Sequence, residues 1–570
     1  MTNAPIIRVL NFIAQKLILL LGIVCFGFVS YHACRYIYAF KSYSEEYVEA
    51  YFDAPGKGLL ALMITLIGML FCVVPVRRSA LLEKGVERIL LPALMGISFF
   101  AAIYWVHISH SMPYNDQLYL TICAGEFAQG NFEQLSAGGY AGYYPHQLPL
   151  ILVLEVLFRL LHTTSYLVVQ YLNAILLPLM ILGGYLAVKA MFRETGVAFV
   201  YLCLIMGCLP VIFYVPYVYG EIASFTFVFW EIWALCGFLQ NGRVSYAIAA
   251  LISSTAAFVF RKNTLIILIA VGIVLLWHAV LAKTWKPVLL LIGMILCVVL
   301  VQAFVLQFYE LRSGIQIGSG IPSSAWVAMG LMDGWPGPGW FNNMNREIYQ
   351  ASGFDPLTAD AMAKSAIAER LQVFRADPAY ARAFFRCKIL TQWNEPTYGA
   401  FYLNYSFSEP LQEGSFVYRV FDGDLNISLS NFMNHYQFVI YVLAVIGMVL
   451  QLFRNRKPIE LLPQIALIGG FFFSLLWEAK SRYALPYLVL MVPVAAYGIE
   501  QVRAVLSLAL GRYFATRPEM LDAARIDHDP SINDATLGGF DDRRDADKEQ
   551  TARFYLFRRS KQSQKNNEAK

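Results

Sequence analysis

Long apolar runs alternate with short charged connectors along most of the chain. Runs near residues 17 to 34, 58 to 76, 89 to 107, 165 to 188, 197 to 216, 222 to 240, 244 to 260, 264 to 282, 288 to 308, 436 to 453, 460 to 477 and 484 to 506 each approach the ~20 residues that cross hydrocarbon as a helix. They predict an all-α polytopic membrane protein with about twelve transmembrane helices, within a range of about eleven to thirteen. The runs do not recur at a fixed period, so no solenoid is expected.

A thirteenth apolar segment, "LPLILVLEVLFRLL" at 148–161, carries Glu155 and Arg159. It is short for a span and fits an interfacial or re-entrant helix. Leaving it out of the count puts the basic connectors "RRSALLEKGVER", "KAMFR" and "RNRK" together on the cytoplasmic side, as positive-inside bias requires. The expected organisation is N-terminal transmembrane helices at 1–107 and a transmembrane module at 108–308. That module includes an outer loop at 108–147 and the interfacial helix. A partly helical extracytoplasmic segment follows at 309–433, then C-terminal transmembrane helices at 434–511 and a flexible cytoplasmic tail at 512–570.

Composition agrees: 58% of the 570 residues are hydrophobic and 15% charged, far from the mix of soluble domains. The net charge of +5 is spread among loops and tail and gives no case for nucleic acid. The basic N-terminus lacks a small-x-small cleavage site and reads as an uncleaved first helix. Of nine cysteines, Cys25, Cys72, Cys203, Cys208 and Cys297 are expected as small buried hydrophobes, and no C-x-x-C spacing occurs.

The unusual polar residues fall on the predicted outer side. Asp116 in "YNDQLYL" is either a functional carboxylate or the cap of a helix beginning near Leu118. Glu221 in "YGEI" is either a second functional acid or a helix-start acid favoured by the dipole. Arg261 and Lys262 in "FRKNTL" break the positive-inside pattern; they either attract an anionic ligand or snorkel to lipid phosphates. Lys480 and Arg482 add positive charge on the same side. His146 in "YYPHQ" either contacts sugar or phosphate or is an interfacial histidine. Trp335, Trp340 and Trp393 are stacking candidates or interface anchors. His107 and His110 with a nearby acid can ligate zinc, a minority reading, so a divalent metal stays open while no cofactor is expected.

In the outer segment, Asp355 and Asp377 each precede a proline and should cap two helices. The stretch "MDGWPGPGWFNN" at 332–343 reads as a lid or acceptor-facing loop, with an inert connector as the alternative. "RFYLFRRSK" at 553–561 suits anionic lipid.

Asp116 in "YNDQLYL", Glu221 in "YGEI", "AGEFAQGNFEQLSAGGYAGYYPHQLPL", "KSRYALPYLVLMVPVAAYG", "VAMGL" and "FFRCKILTQWNEPTYG" together give the chain a resemblance. It resembles the GT-C superfamily of membrane glycosyltransferases, in particular the bacterial branch related to protein O-mannosyltransferases and aminoarabinose transferases. The resemblance implies an extracytoplasmic active site in a multi-pass protein of the cell membrane. It also implies a polyprenyl-phosphate sugar donor, an acceptor in the cell envelope, and Asp116 and Glu221 as catalytic acids. Many members place two adjacent acids in the first loop, whereas Asn115 and Gln117 flank Asp116 here. That makes Asp116 better suited as a base than as half of a metal site.

The chemistry asks for the same parts. A base takes the proton of an acceptor hydroxyl and cations receive the charge of the departing lipid phosphate, with inversion at the sugar carbon. The cation set is Arg261, Lys262, Lys480 and Arg482, with His146 beside them. No nucleotide-binding glycine-rich loop occurs. Two other readings share the many helices: a polysaccharide polymerase or ligase, and a transporter or flippase of lipid-linked sugars, which would carry more ionisable residues within its spans.

Overall fold

The computed structural model describes residues 4–515 except Ser44, Ser79 and Pro336. The predicted tail therefore lies almost wholly outside the described residues, and "RFYLFRRSK" entirely so. Among the described residues, ten helices are long and apolar enough to cross a membrane: Ile6–Ala33, Pro55–Val73, Leu81–Ser109, Leu167–Phe192, Glu221–Asn241, Lys262–Ala282, Lys286–Ser313, Asp424–Gln451, Pro458–Leu476 and Leu485–Ala509. The protein is a helical multi-pass membrane protein. Helices Leu167–Phe192 and Glu221–Asn241 and the first part of the last helix, residues 485–504, are largely buried, whereas the peripheral ones expose Ile64, Phe71, Ile269, Leu296 and Phe304, the outward apolar surface that lipid covers. Residues Met1–Ala504 form one compact unit, which holds every feature of the site; Val505 onward forms a second, described only as the end of the last helix.

One predicted span comes out broken, and another keeps its predicted bounds but is shorter than the ten. The run at 197–216 is the helix Thr195–Met206 followed by a separate turn of helix at Leu209–Phe213. Gly207 and Cys208 separate them, and Pro210, with no amide hydrogen to donate, opens the second. Val244–Phe260 is a 17-residue helix. In contrast, the run at 436–453 begins early, within the helix Asp424–Gln451.

The segment at 148–161 is the 13-residue helix Leu148–Leu160. Its buried Glu155 receives Arg159 Nε at 2.8 Å, Arg312 at 2.9 Å and the Tyr309 hydroxyl at 2.7 Å, which ties it to the helix Lys286–Ser313. The cysteine expectation needs correction: Cys25 and Cys208 are buried, Cys203 and Cys297 are half-buried, and Cys72 is exposed on an apolar helix. A lipid-facing cysteine keeps a window just as apolar as a core one does.

One element escaped the apolar pattern. Tyr36–Ser42 and Glu45–Phe52 pair as an antiparallel hairpin between the first two long helices, from Tyr36 opposite Phe52 to Ser42 opposite Glu45. In the segment at 309–433, Asp355 accepts from the Thr358 amide at 2.8 Å and Asp377 from those of Ala379 and Tyr380. Both cap proline-led helices, Pro356–Ala376 and Pro378–Trp393, as their spacing predicts.

Candidate functional site

Asp116 is the first residue of the helix Asp116–Gln129, not its cap; Asn115 holds that position with φ at 50° and makes no side-chain capping bond. The neighbouring Gln117 fixes the location. Its amide nitrogen donates to Leu403 O at 3.0 Å and its oxygen accepts from the Val218 amide at 2.7 Å. Gln170 bridges the carbonyls of Ser111 and Pro216, both at 2.9 Å. These buried amide bonds hold the Asp116 turn against the tyrosine-rich segment 214–219.

The Asp116 carboxylate is met by Arg482, whose guanidinium lies 3.2 Å from Oδ2. Arg482 also donates to the Tyr217 hydroxyl and lies over the rings of Tyr219 and Tyr483 at 4.8 and 5.2 Å. Burial pushes the Asp116 carboxyl upward, but Arg482 and Lys480 outweigh it and hold the group below the ordinary aspartate range. Its Oδ1 accepts no hydrogen bond from the described residues, and the side chain keeps 29% exposure.

Glu221 opens the helix Glu221–Asn241 and is 2% exposed. Arg261 NH2 lies 3.4 Å from its Oε1, and Arg261 sits over the Tyr219 ring at 4.4 Å. Gly220 makes the approach possible: at φ +89°, a Cβ there would meet Phe260 O at 2.5 Å, so the helix ending at Phe260 presses directly on the one starting at Glu221.

Asp116, His146, Arg261, Lys262, Lys480 and Arg482 line one cavity of about 820 Å³, within the size range of ligand pockets. Glu221 lies beside it, in a smaller crevice shared with Arg261 and Arg482. The cavity also takes Glu46 from the hairpin, Glu478 and Arg346, which had no sequence signal of their own. Five cations thus face three carboxylates: Arg261, Lys262, Arg346, Lys480 and Arg482 against Glu46, Asp116 and Glu478. Lys480 is shared between Glu46 and Glu478 at 3.3 Å each. Lys262 and Arg346 have no carboxylate partner among the described residues. Arg346 instead donates to the Tyr144 hydroxyl at 2.5 Å.

Burial, then Lys262 and Arg261, push the His146 imidazole down to about 3, so it is neutral and offers one donor and one acceptor. Neither ring nitrogen has a hydrogen-bond partner among the described residues. The three tryptophans separate. Trp393 and Trp340 are interior, donating to Ser474 Oγ at 3.3 Å and Thr391 Oγ1 at 3.1 Å, while Trp335 lines the cavity. His107 and His110 lie outside it, with ring centres 6.3 Å apart. Among the described residues no group of three or more His, Cys, Asp or Glu side chains is placed to hold a metal.

The cavity wall combines two environments. Leu265 and Ile266 come from the first turn of Leu265–Ala282, and Phe473 from the last turn of Leu462–Leu476, both belonging to candidate membrane spans. Phe473 stacks on Trp477 at 5.1 Å, Trp477 on Trp326 at 5.7 Å, and Trp326 meets Tyr144 at 5.9 Å. An aromatic series therefore leads from a membrane helix end to Arg346. No protein-family model and no curated protein matches the chain.

Proposed function

We propose that the protein is a membrane glycosyltransferase of the GT-C kind, moving a sugar from a polyprenyl-phosphate donor to an acceptor hydroxyl in the cell envelope. The observation that carries this reading is the mixed wall of the Asp116 cavity. A water-soluble donor needs no opening flanked by apolar helix ends, whereas a lipid-linked one needs its head in a polar chamber and its tail in hydrocarbon. Lys262 and Arg346, the two cavity cations without a carboxylate partner among the described residues, are suited to the carrier phosphate. Arg261, spent on Glu221, is better read as a positioning residue.

In the transfer step the acceptor oxygen attacks the anomeric carbon, the carbon–oxygen bond to the lipid phosphate breaks, and its electron pair leaves on the phosphate. The acceptor proton goes to Asp116 Oδ1, and the single displacement inverts the anomeric centre. Arg482 keeps the base ionised and fixed, and the cations receive the charge of the leaving group. Neutral His146 offers its free nitrogens to sugar hydroxyls or phosphate.

Counting Val244–Phe260 and the broken pair Thr195–Met206 and Leu209–Phe213 as crossings gives twelve. Two contacts support this: Thr195 donates to Glu83, and the Tyr214 hydroxyl, beyond the second short helix, donates to Tyr398 O. With the basic connectors in the cytoplasm, twelve crossings put the cavity on the extracytoplasmic face of the cell membrane. The test is binding of polyprenyl phosphate to the purified chain in nanodiscs, with a nucleotide sugar as comparison. Saturable binding of the lipid alone supports the reading; binding of the nucleotide sugar alone overturns it.

A further inference from the structure

Another part of the cavity wall is built differently. It comes from the hairpin, the Gly and Pro rich loop, and the segment before the last helix. Lys480 joins Glu46 of the hairpin to Glu478. The loop is laced to that same segment, with the Ala479 amide donating to Gly339 O at 2.7 Å. Gly339 takes φ +75°, and a Cβ there would meet Gly330 O at 2.5 Å, so a larger residue would push the loop off its seat. From this loop Trp335 reaches the cavity at 64% exposure, its ring stacked at 4.7 Å on Tyr47 of the hairpin. Tyr402, also in the wall, is stacked on Phe40 of the hairpin at 5.1 Å.

Lys480 meets Glu46, and Tyr483 donates to Glu478 Oε2 at 3.0 Å, but one carboxylate oxygen is left over. Glu478 is 2% exposed, yet its Oε1 receives no hydrogen bond, with Lys480 Nζ standing 3.3 Å away. A buried carboxylate oxygen short of a donor is costly unless a ligand supplies one. An exposed indole in the same wall as a carboxylate oxygen that receives no hydrogen bond matches a pyranose: its C–H face lies on an aromatic ring and its hydroxyls donate to carboxylates. A hydroxyl-bearing peptide gains little from such a wall, because its backbone asks equally for donors and acceptors.

We propose that this part of the cavity is the acceptor site and that the acceptor is a carbohydrate, its ring stacked on Trp335 and its hydroxyls donating to Glu46 and Glu478. The assignment rests on the glycosyltransferase reading, which makes Lys262 and Arg346 the donor side. Asp116 lines the same cavity, within which the acceptor hydroxyl must arrive.

Saturation-transfer NMR on the full chain in nanodiscs tests this. The probes are tetrasaccharides of glucose, mannose, galactose and N-acetylglucosamine, with a serine- and threonine-rich peptide as the other arm. Saturation of the ring protons of at least one tetrasaccharide is expected. Affinity should fall about ten-fold in Trp335→Ala, the size of a lost aromatic contact, while Trp335→Phe keeps most of it. Glu46→Gln should weaken the same probe. Saturation of the peptide in place of the saccharides, silence from all four saccharides, or an unchanged saccharide signal in Trp335→Ala overturns the assignment. Polyprenyl phosphate binding, measured on the same samples, separates the two ideas. If it persists while the saccharide arm fails, only the acceptor site falls; if the wild-type chain binds no polyprenyl phosphate, the donor reading falls and takes the acceptor site with it.

Discussion

Arg482 reaches Asp116 across 366 positions of sequence, its NH2 3.2 Å from Oδ2. The contact joins the first turn of the Asp116 helix to the segment preceding the last transmembrane helix, so the proposed base is set by two distant parts of the chain. Asp116 sits below the ordinary aspartate value of 3.8 because these cations outweigh its burial, so a rate that needs the carboxylate should persist down to about pH 4. Removing Arg482, the largest lowering partner, leaves burial opposed only by Lys480 and Arg346. In Arg482→Gln the acid limb of the pH–rate profile should therefore move to higher pH. A limb that stays in place would separate Arg482 from the base.

Glu221 and Arg261 should behave as a unit. Breaking a buried ion pair from one side leaves a stranded charge, worth about 3–5 kcal/mol. Glu221→Gln and Arg261→Gln should each lower thermal stability in detergent, and the double variant should recover part of the loss. Simple addition of the two losses would mean that the 3.4 Å contact carries no coupling.

Donor affinity should depend on the unpaired cations. Each charge-assisted contact to phosphate is worth roughly 1.5–3 kcal/mol, about ten- to hundredfold in binding. Lys262→Gln and Arg346→Gln should weaken polyprenyl phosphate binding by that factor, while Asp116→Asn retains it. Equal affinity in all three would return the phosphate to Lys480 and Arg482.

Membrane topology can be tested without substrate. The helix Leu148–Leu160 is too short to cross and is pinned through Glu155 to Arg312. Single cysteines at Gln134 and Thr163 should thus label from the same, extracytoplasmic side. Labelling from opposite faces would reverse the orientation of the first half.

Much of this was legible in the sequence because hydrophobic run length reports spans directly, and because cations outside the positive-inside pattern mark one face. That logic selected Arg261, Lys262, Lys480 and Arg482 from connectors far apart in sequence, and they share a cavity. It could not pair them: which cation meets which acid depends on helix packing, so the contact of Arg261 with Glu221 had no sequence signal. Arg346 and Glu46 were missed because each is an ordinary charge in a polar segment, brought to the cavity by long-range packing alone. The alternation of "YIYAFKS" was a visible strand signal, overshadowed by the helices on either side. The break at Gly207–Cys208 lies in a window as apolar as a continuous helix, where only Pro210 gave notice.

The most direct measurement follows transfer itself. Purified protein in proteoliposomes is given a radiolabelled sugar on polyprenyl phosphate together with a mixed cell-envelope glycan fraction. The label should move from lipid to glycan with release of polyprenyl phosphate, and Asp116→Asn should reduce the rate by about 10² to 10⁴, the contribution of a general base, without loss of donor binding. Near-normal transfer by Asp116→Asn, or a label that stays on the lipid with wild-type protein, would contradict the account.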